Sequence, residues 1–124
     1  MITIFHNPSC GTSRNVLATL RAGGETPQVI EYVKAGWTRP QLEKLFKDAG
    51  LTPRQALRTK GDLVTGLGLL DPAVPASRIL DAMVEHPILV ERPFVVTPKG
   101  TALCRPADKV LALMDRPPAA VVKA

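Results

Sequence analysis

Two cysteines occur among the 124 residues, and one of them, Cys10, stands among residues that can activate a thiol. The run is His6-Asn7-Pro8-Ser9-Cys10-Gly11-Thr12-Ser13-Arg14-Asn15. The thiolate is the nucleophilic form of cysteine, and positive charge or the free amides of a helix start favour it. Gly11 lets a ligand approach the backbone closely. The hydroxyls of Thr12 and Ser13 can donate hydrogen bonds to a sulfur or an oxyanion. His6 can add positive charge or polarity beside the sulfur. Nucleophilic attack at a bound oxyanion, or thiol–disulfide exchange, is the chemistry this set can perform.

The spacing excludes several alternatives. A phosphatase-type loop needs an arginine six positions after the cysteine, and Val16 stands there; Arg14 comes four positions on. A dithiol motif (C-x-x-C) needs a second cysteine where Ser13 stands, so a cycle that oxidises Cys10 must borrow its resolving thiol from outside. Two Cys and two His at these spacings match no zinc pattern, so no metal site is expected. Arg58, Arg92 and Arg105 fall where elements begin or end, and arginine forks match tetrahedral oxyanions. Arg92-Pro93 is a candidate cis bond. Cys104, in or just after a strand, reads as packing.

These residues need elements to hold them. Ile2-Thr3-Ile4-Phe5 reads as a buried strand, and Val16, Leu17 and Leu20 continue at helical spacing until Gly23-Gly24. Cys10 therefore lies in a tight strand-to-helix turn, where unpaired amides and the helix dipole make the surroundings positive. Thr26 to Tyr32 predicts a second strand, and Lys34 to Trp37 a loop. Thr38-Arg39-Pro40-Gln41 has the spacing of a capping box; Leu42, Leu45, Phe46 and Ala49 follow on one face and Gly50 closes the helix. Thr52-Pro53-Arg54-Gln55 repeats the start signal, predicting a short helix through Ala56, Leu57 and Arg58 and so an αα-hairpin. Lys60 to Pro75 reads as a loop with room for one helical turn, and Ala76 to Glu85 as an amphipathic helix ended by His86-Pro87. Phe94–Thr97 and Thr101–Cys104 flank Pro98-Lys99-Gly100 as a β-hairpin. Arg105-Pro106 opens a last helix that Arg116-Pro117-Pro118 ends. The order β-α-β, helices, β-β-α predicts an α/β chain: a thioredoxin-like sheet core with a helical insertion at about 38–86, one domain over 1–116, and a frayed tail at 117–124.

Composition limits the partners. Hydrophobic residues make up 45% of the chain, which suits a globular domain with one core. No apolar run is long enough to span a bilayer, and Met1 leads directly into the first strand, leaving no room for a signal peptide. With two distant cysteines, this predicts a reduced, cytoplasmic setting and no disulfide. The net charge of +5 suits an anionic ligand. The basic residues are scattered and aromatics are only 4%, so nucleic acid is not expected as a partner.

The quoted Cys10 run, His86-Pro87-Ile88-Leu89, Arg92-Pro93, Val95-Val96-Thr97-Pro98 and Leu103-Cys104-Arg105-Pro106 resemble the glutaredoxin-coupled arsenate reductases, over about residues 1–116. That resemblance implies a thioredoxin-like fold with Cys10 as the nucleophile that attacks arsenate, assisted by His6. It implies arsenate binding by Arg58, Arg92 and Arg105; the chemistry of the helix start adds the backbone and hydroxyls of Gly11, Thr12 and Ser13 beside the anion. It also implies glutathione as co-substrate, glutaredoxin as partner, and no bound cofactor. Around Arg58 the sequence departs from the pattern at Thr59-Lys60-Gly61. Wider relatives include glutathione-dependent thiol oxidoreductases and redox regulators that bind RNA polymerase, the latter typically with the C-x-x-C pair absent here.

Overall fold

A computed structural model describes all residues, 1–124. The chain divides into two compact units, residues 1–35 with 92–124, and residues 36–91.

The first unit is built on a four-stranded sheet of β1 (Thr3–His6), β2 (Gln28–Glu31), β3 (Phe94–Thr97) and β4 (Gly100–Leu103), in the order β2-β1-β3-β4. β1 pairs parallel to β2 and antiparallel to β3, and β3 forms a hairpin with β4. The parallel pair is joined through helix α1 (Gly11–Ala22), as a parallel crossover requires. Together these make the thioredoxin-like βαβ…ββα sheet expected from the sequence. Ile4 and Val95 face each other in the register and pack with Val16, Leu17 and Leu20 of α1. Val110 and Met114 complete that core, carried by a 3₁₀ helix at Ala107–Leu113. Cys104, fully buried in this cluster, is packing as expected. The Arg92-Pro93 and Arg105-Pro106 peptide bonds are both cis.

Three local expectations are corrected in this unit. The second strand stops at Glu31, and Tyr32 begins a single helical turn, α2 (Tyr32–Ala35), where a loop was expected from Lys34; Tyr32 is fully buried. The last helix is 3₁₀ rather than α. The end of the tail is not frayed: the Val122 amide donates to Thr19 Oγ1 at 2.8 Å and the Ala124 amide to Asn15 Oδ1 at 2.7 Å, which lays residues 122–124 along α1.

The second unit holds α3 (Arg39–Ala49), α4 (Asp62–Gly66) and α5 (Ala76–Glu85), followed by a 3₁₀ turn at Pro87–Leu89. Thr38 caps α3 with both reciprocal hydrogen bonds of a capping box. Gly50 ends it with φ 70°, a left-handed conformation that glycine adopts without strain. Leu42, Leu45 and Phe46 bury one face of α3, and Ile79, Leu80 and Met83 one face of α5, and the two helices pack on each other. Arg39 ties their exposed edges, pairing with Glu43 and Asp81. The predicted helix over Ala56–Arg58, and with it the αα-hairpin, is not formed. Thr52 and Gln55 do make the reciprocal capping bonds. The chain then turns into an antiparallel bridge, Leu57 with Val90, in which the Arg58 amide donates to Leu89 O at 2.8 Å and the Glu91 amide to Ala56 O at 2.8 Å. That bridge lies within the 36–91 unit. No helix of the chain is long and apolar enough to cross a membrane.

Candidate active site

The loop between β1 and α1 is shaped by Asn7, a residue whose role the sequence reading passed over. Its Oδ1 accepts the Ser9 amide at 3.0 Å and its carbonyl accepts the Cys10 amide at 3.0 Å, closing the turn. An asparagine ahead of proline and serine is the available signal, since Asx side chains bond the backbone two residues on. Cys10 is thereby set as the N-cap of α1, half-buried, with extended backbone (φ −98°, ψ 121°). No side chain caps this helix, so its first amides remain for other acceptors.

The sulfur is one such acceptor. Burial pushes the Cys10 thiol up. The Ser13 amide, the hydrogen bond and charge of Arg105, and the Thr12 amide outweigh burial and hold it below its ordinary value. Arg105 Nη1 lies 3.7 Å from Cys10 Sγ and donates to Arg92 O at 3.1 Å. Arg92 is 2% exposed. One arginine thus touches both the nucleophile and the backbone of the other, bringing Cys10, Arg92 and Arg105 together although 95 residues separate the ends of the Arg105–Cys10 contact. Cys104 contrasts with Cys10: burial drives its thiol up to about 12, so it stays protonated and inert.

Two expected roles change. Ser13 was expected to offer its hydroxyl to sulfur or oxyanion. The side chain is fully buried instead, with Oγ accepting the Asn7 amide at 3.1 Å and lying 2.6 Å from His6 Nδ1. Only the Ser13 backbone amide serves the sulfur. His6 was expected to add positive charge. Burial lowers its pKa below the ordinary histidine value; the Glu31 charge works the other way, while Arg21 and Arg14 add to the lowering. At neutral pH it is a neutral ring, 6% exposed, whose side-chain contact is with the Ser13 hydroxyl. Thr12 is half-buried beside the sulfur, to which its backbone amide donates. Gly11 is exposed, and a Cβ placed on it would meet only Arg14 Nη2, at 3.7 Å. Arg58 belongs to the 36–91 unit, where its Nη1 lies 4.0 Å from Glu91 Oε1.

A thiol held low at a helix start, with the Arg105 guanidinium on its sulfur, sets a nucleophile beside groups of the kind that bind a small oxyanion. Comparison with known proteins agrees. The ArsC family model matches residues 5–113. The arsenate reductase ArsI2 of Synechocystis is 61% identical over 118 residues, 95% of this chain and 84% of that one. The arsenate reductase of Escherichia coli is 46% identical over 113 residues, 91% and 80% respectively. The solved structure of an arsenate reductase from Vibrio cholerae superposes with a TM-score of 0.86 at 37% identity, covering 91% of this chain and 97% of that one. With a thioredoxin-like fold, a thiolate-stabilising Cys10 loop and relatives of this identity along nearly its whole length, the chain belongs to the ArsC family.

Proposed function

We propose that this protein is an arsenate reductase that converts arsenate to arsenite with glutathione and glutaredoxin as the reducing system in a reduced, cytoplasmic compartment. The observation that carries the reading is the guanidinium of Arg105 on Cys10 Sγ at 3.7 Å, at the head of an uncapped helix. Arsenate docks at the helix-start amides from Gly11 onward, with Arg92 and Arg105 around it. The Thr12 hydroxyl is a further donor. Arg58 is assigned as the third arginine on the strength of the family resemblance.

The Cys10 thiolate attacks arsenic(V). A sulfur–arsenic bond forms, and one arsenate oxygen leaves as hydroxide or, after protonation, as water. A glutathione thiolate then attacks the sulfur of the adduct. The sulfur–sulfur bond forms, the sulfur–arsenic pair stays on arsenic, and arsenic leaves as arsenic(III). Two thiols have supplied the two electrons and become one mixed disulfide on Cys10. Glutaredoxin takes the glutathionyl group and returns the Cys10 thiolate. The arginines offset the repulsion between an anion and a thiolate and stabilise charge that builds in the transition state. Removing one such donor raises the barrier by roughly 2.7–4 kcal/mol.

The test is a coupled assay with arsenate, glutathione, glutaredoxin, glutathione reductase and NADPH. NADPH loss that depends on arsenate and disappears in Cys10→Ser is the expected result. No arsenate-dependent loss, beside an active control enzyme, refutes the reading in favour of a disulfide-exchange enzyme, which needs Cys10 but not all three arginines.

A further inference from the structure

The site carries two kinds of cation. Arg105 lies inside it, half-buried, on the sulfur itself and on the carbonyl of buried Arg92. Arg14 is different. Its backbone amide joins the helix by donating to Cys10 O at 3.0 Å, but its side chain is exposed and folds back over the loop. Nη1 donates to Pro8 O at 3.0 Å, and Nη2 stands over the open face of Gly11. The guanidinium therefore spans the outer rim, where Pro8, Ser9 and Gly11 are all exposed. That one bond uses one of five N–H donors, and the others face no protein acceptor. Arg14 also enters no ion pair, whereas half-buried Arg39 satisfies two carboxylates. Nor is Arg14 among the groups that hold the Cys10 thiol down.

This fork stands at the exposed rim, apart from the Arg105 donor on the sulfur, with no carboxylate paired to it. It suits a second anion that comes to the sulfur from outside. Attack at the sulfur of a sulfur–arsenic bond proceeds from the side away from arsenic, so the incoming thiol crosses the rim. Glutathione carries two carboxylates, and an arginine fork binds a carboxylate through two hydrogen bonds.

We propose that Arg14 recognises a carboxylate of the incoming glutathione and so selects an anionic thiol for the second step. This rests on the arsenate-reductase reading for its place in the cycle, but its test does not. Oxidised glutathione reacts with the Cys10 thiolate to give the Cys10–glutathione disulfide and one glutathione thiolate, with no arsenic involved. The uncharged 4,4′-dithiodipyridine reacts at the same sulfur and serves as control. The ratio of the two rates, read by mass spectrometry on the intact protein, is compared between wild type and Arg14→Gln. It falls about threefold in the variant, within the range of a solvent-exposed ion pair. Raising the salt from 0.05 to 0.5 M lowers the wild-type ratio and leaves that of Arg14→Gln nearly flat. A ratio that is the same in both proteins overturns the proposal. So does an equal fall of both rates, because loss of the Pro8 contact would then be a loop effect. Wild type that lacks arsenate-dependent turnover refutes the proposed function while the ratio still decides the role of Arg14.

Discussion

Replacing Ser13 with alanine deletes one buried oxygen and strands two partners. The hydroxyl accepts the Asn7 amide at 3.1 Å and meets His6 Nδ1 at 2.6 Å, and both residues are 6% exposed. An orphaned buried polar group costs about 1–3 kcal/mol, so the two together cost about 2–4 kcal/mol once partial relaxation is allowed. That is a large part of the 5–15 kcal/mol that holds a typical domain folded. Urea unfolding followed by far-ultraviolet circular dichroism measures it. With a slope of about 2 kcal/mol per molar urea, the midpoint of Ser13→Ala falls by about 1–2 M. The same variant also loosens the loop that presents the Ser13 amide to the sulfur, so Cys10 alkylation at fixed pH slows. A double-mutant cycle with His6→Phe returns a coupling of about 1 kcal/mol if the contact is as short as described. A midpoint within about 0.25 M of wild type, equivalent to less than about 0.5 kcal/mol, refutes the role given to this hydroxyl.

Two further outcomes follow from the same loop. In Arg105→Leu the pH profile of Cys10 alkylation by iodoacetamide moves upward toward that of an ordinary cysteine, because a hydrogen bond and a charge that favour the thiolate are gone while burial remains; a profile that stays put contradicts the 3.7 Å contact. His6 is held neutral in the fold, below its unfolded pKa, so the unfolded chain binds the extra proton on acidification. Its contribution is whole above the ordinary histidine value and is lost as pH falls through and below it, so wild type loses stability as pH falls below about 6.5. His6→Gln shows a shallower fall over that window, and equal slopes for the two proteins count against a buried neutral ring.

Strand and helix boundaries that depend on local pattern were legible in the sequence, as was the placement of Cys10 at a helix head. What was not legible shows in the two capping boxes. Thr38–Gln41 and Thr52–Gln55 carry the same signal, and both form its hydrogen bonds. Only the first is followed by an apolar face at helical spacing, Leu42, Leu45 and Phe46, that can be buried along two turns. After the second come Ala56 and Leu57 and then Arg58-Thr59-Lys60-Gly61, which offer no such face. The backbone there gains more from pairing with Leu89–Glu91, a choice made by residues more than thirty positions away. Ser13 misled for the same kind of reason. Its type and position suited a donor at the site, but which way its hydroxyl turned was decided by the buried His6 ring across the loop. The arginines at strand ends were visible, yet the reach of Arg105 to the sulfur depended on the return of the hairpin beside β1.

Cys104 lies locked in the core, its thiol pushed up to about 12, and Cys10 has no neighbour in the chain to close a ring with. The protein therefore has no dithiol couple and no midpoint potential of its own. Its oxidation state is set by whatever small thiols surround it, and follows their ratio and concentration rather than a value written into the fold. Under peroxide stress, a sulfenic acid on Cys10 has no internal escape. Capture by an external thiol competes directly with further oxidation to the irreversible sulfinic acid, so the abundance of that thiol decides how long each molecule lasts.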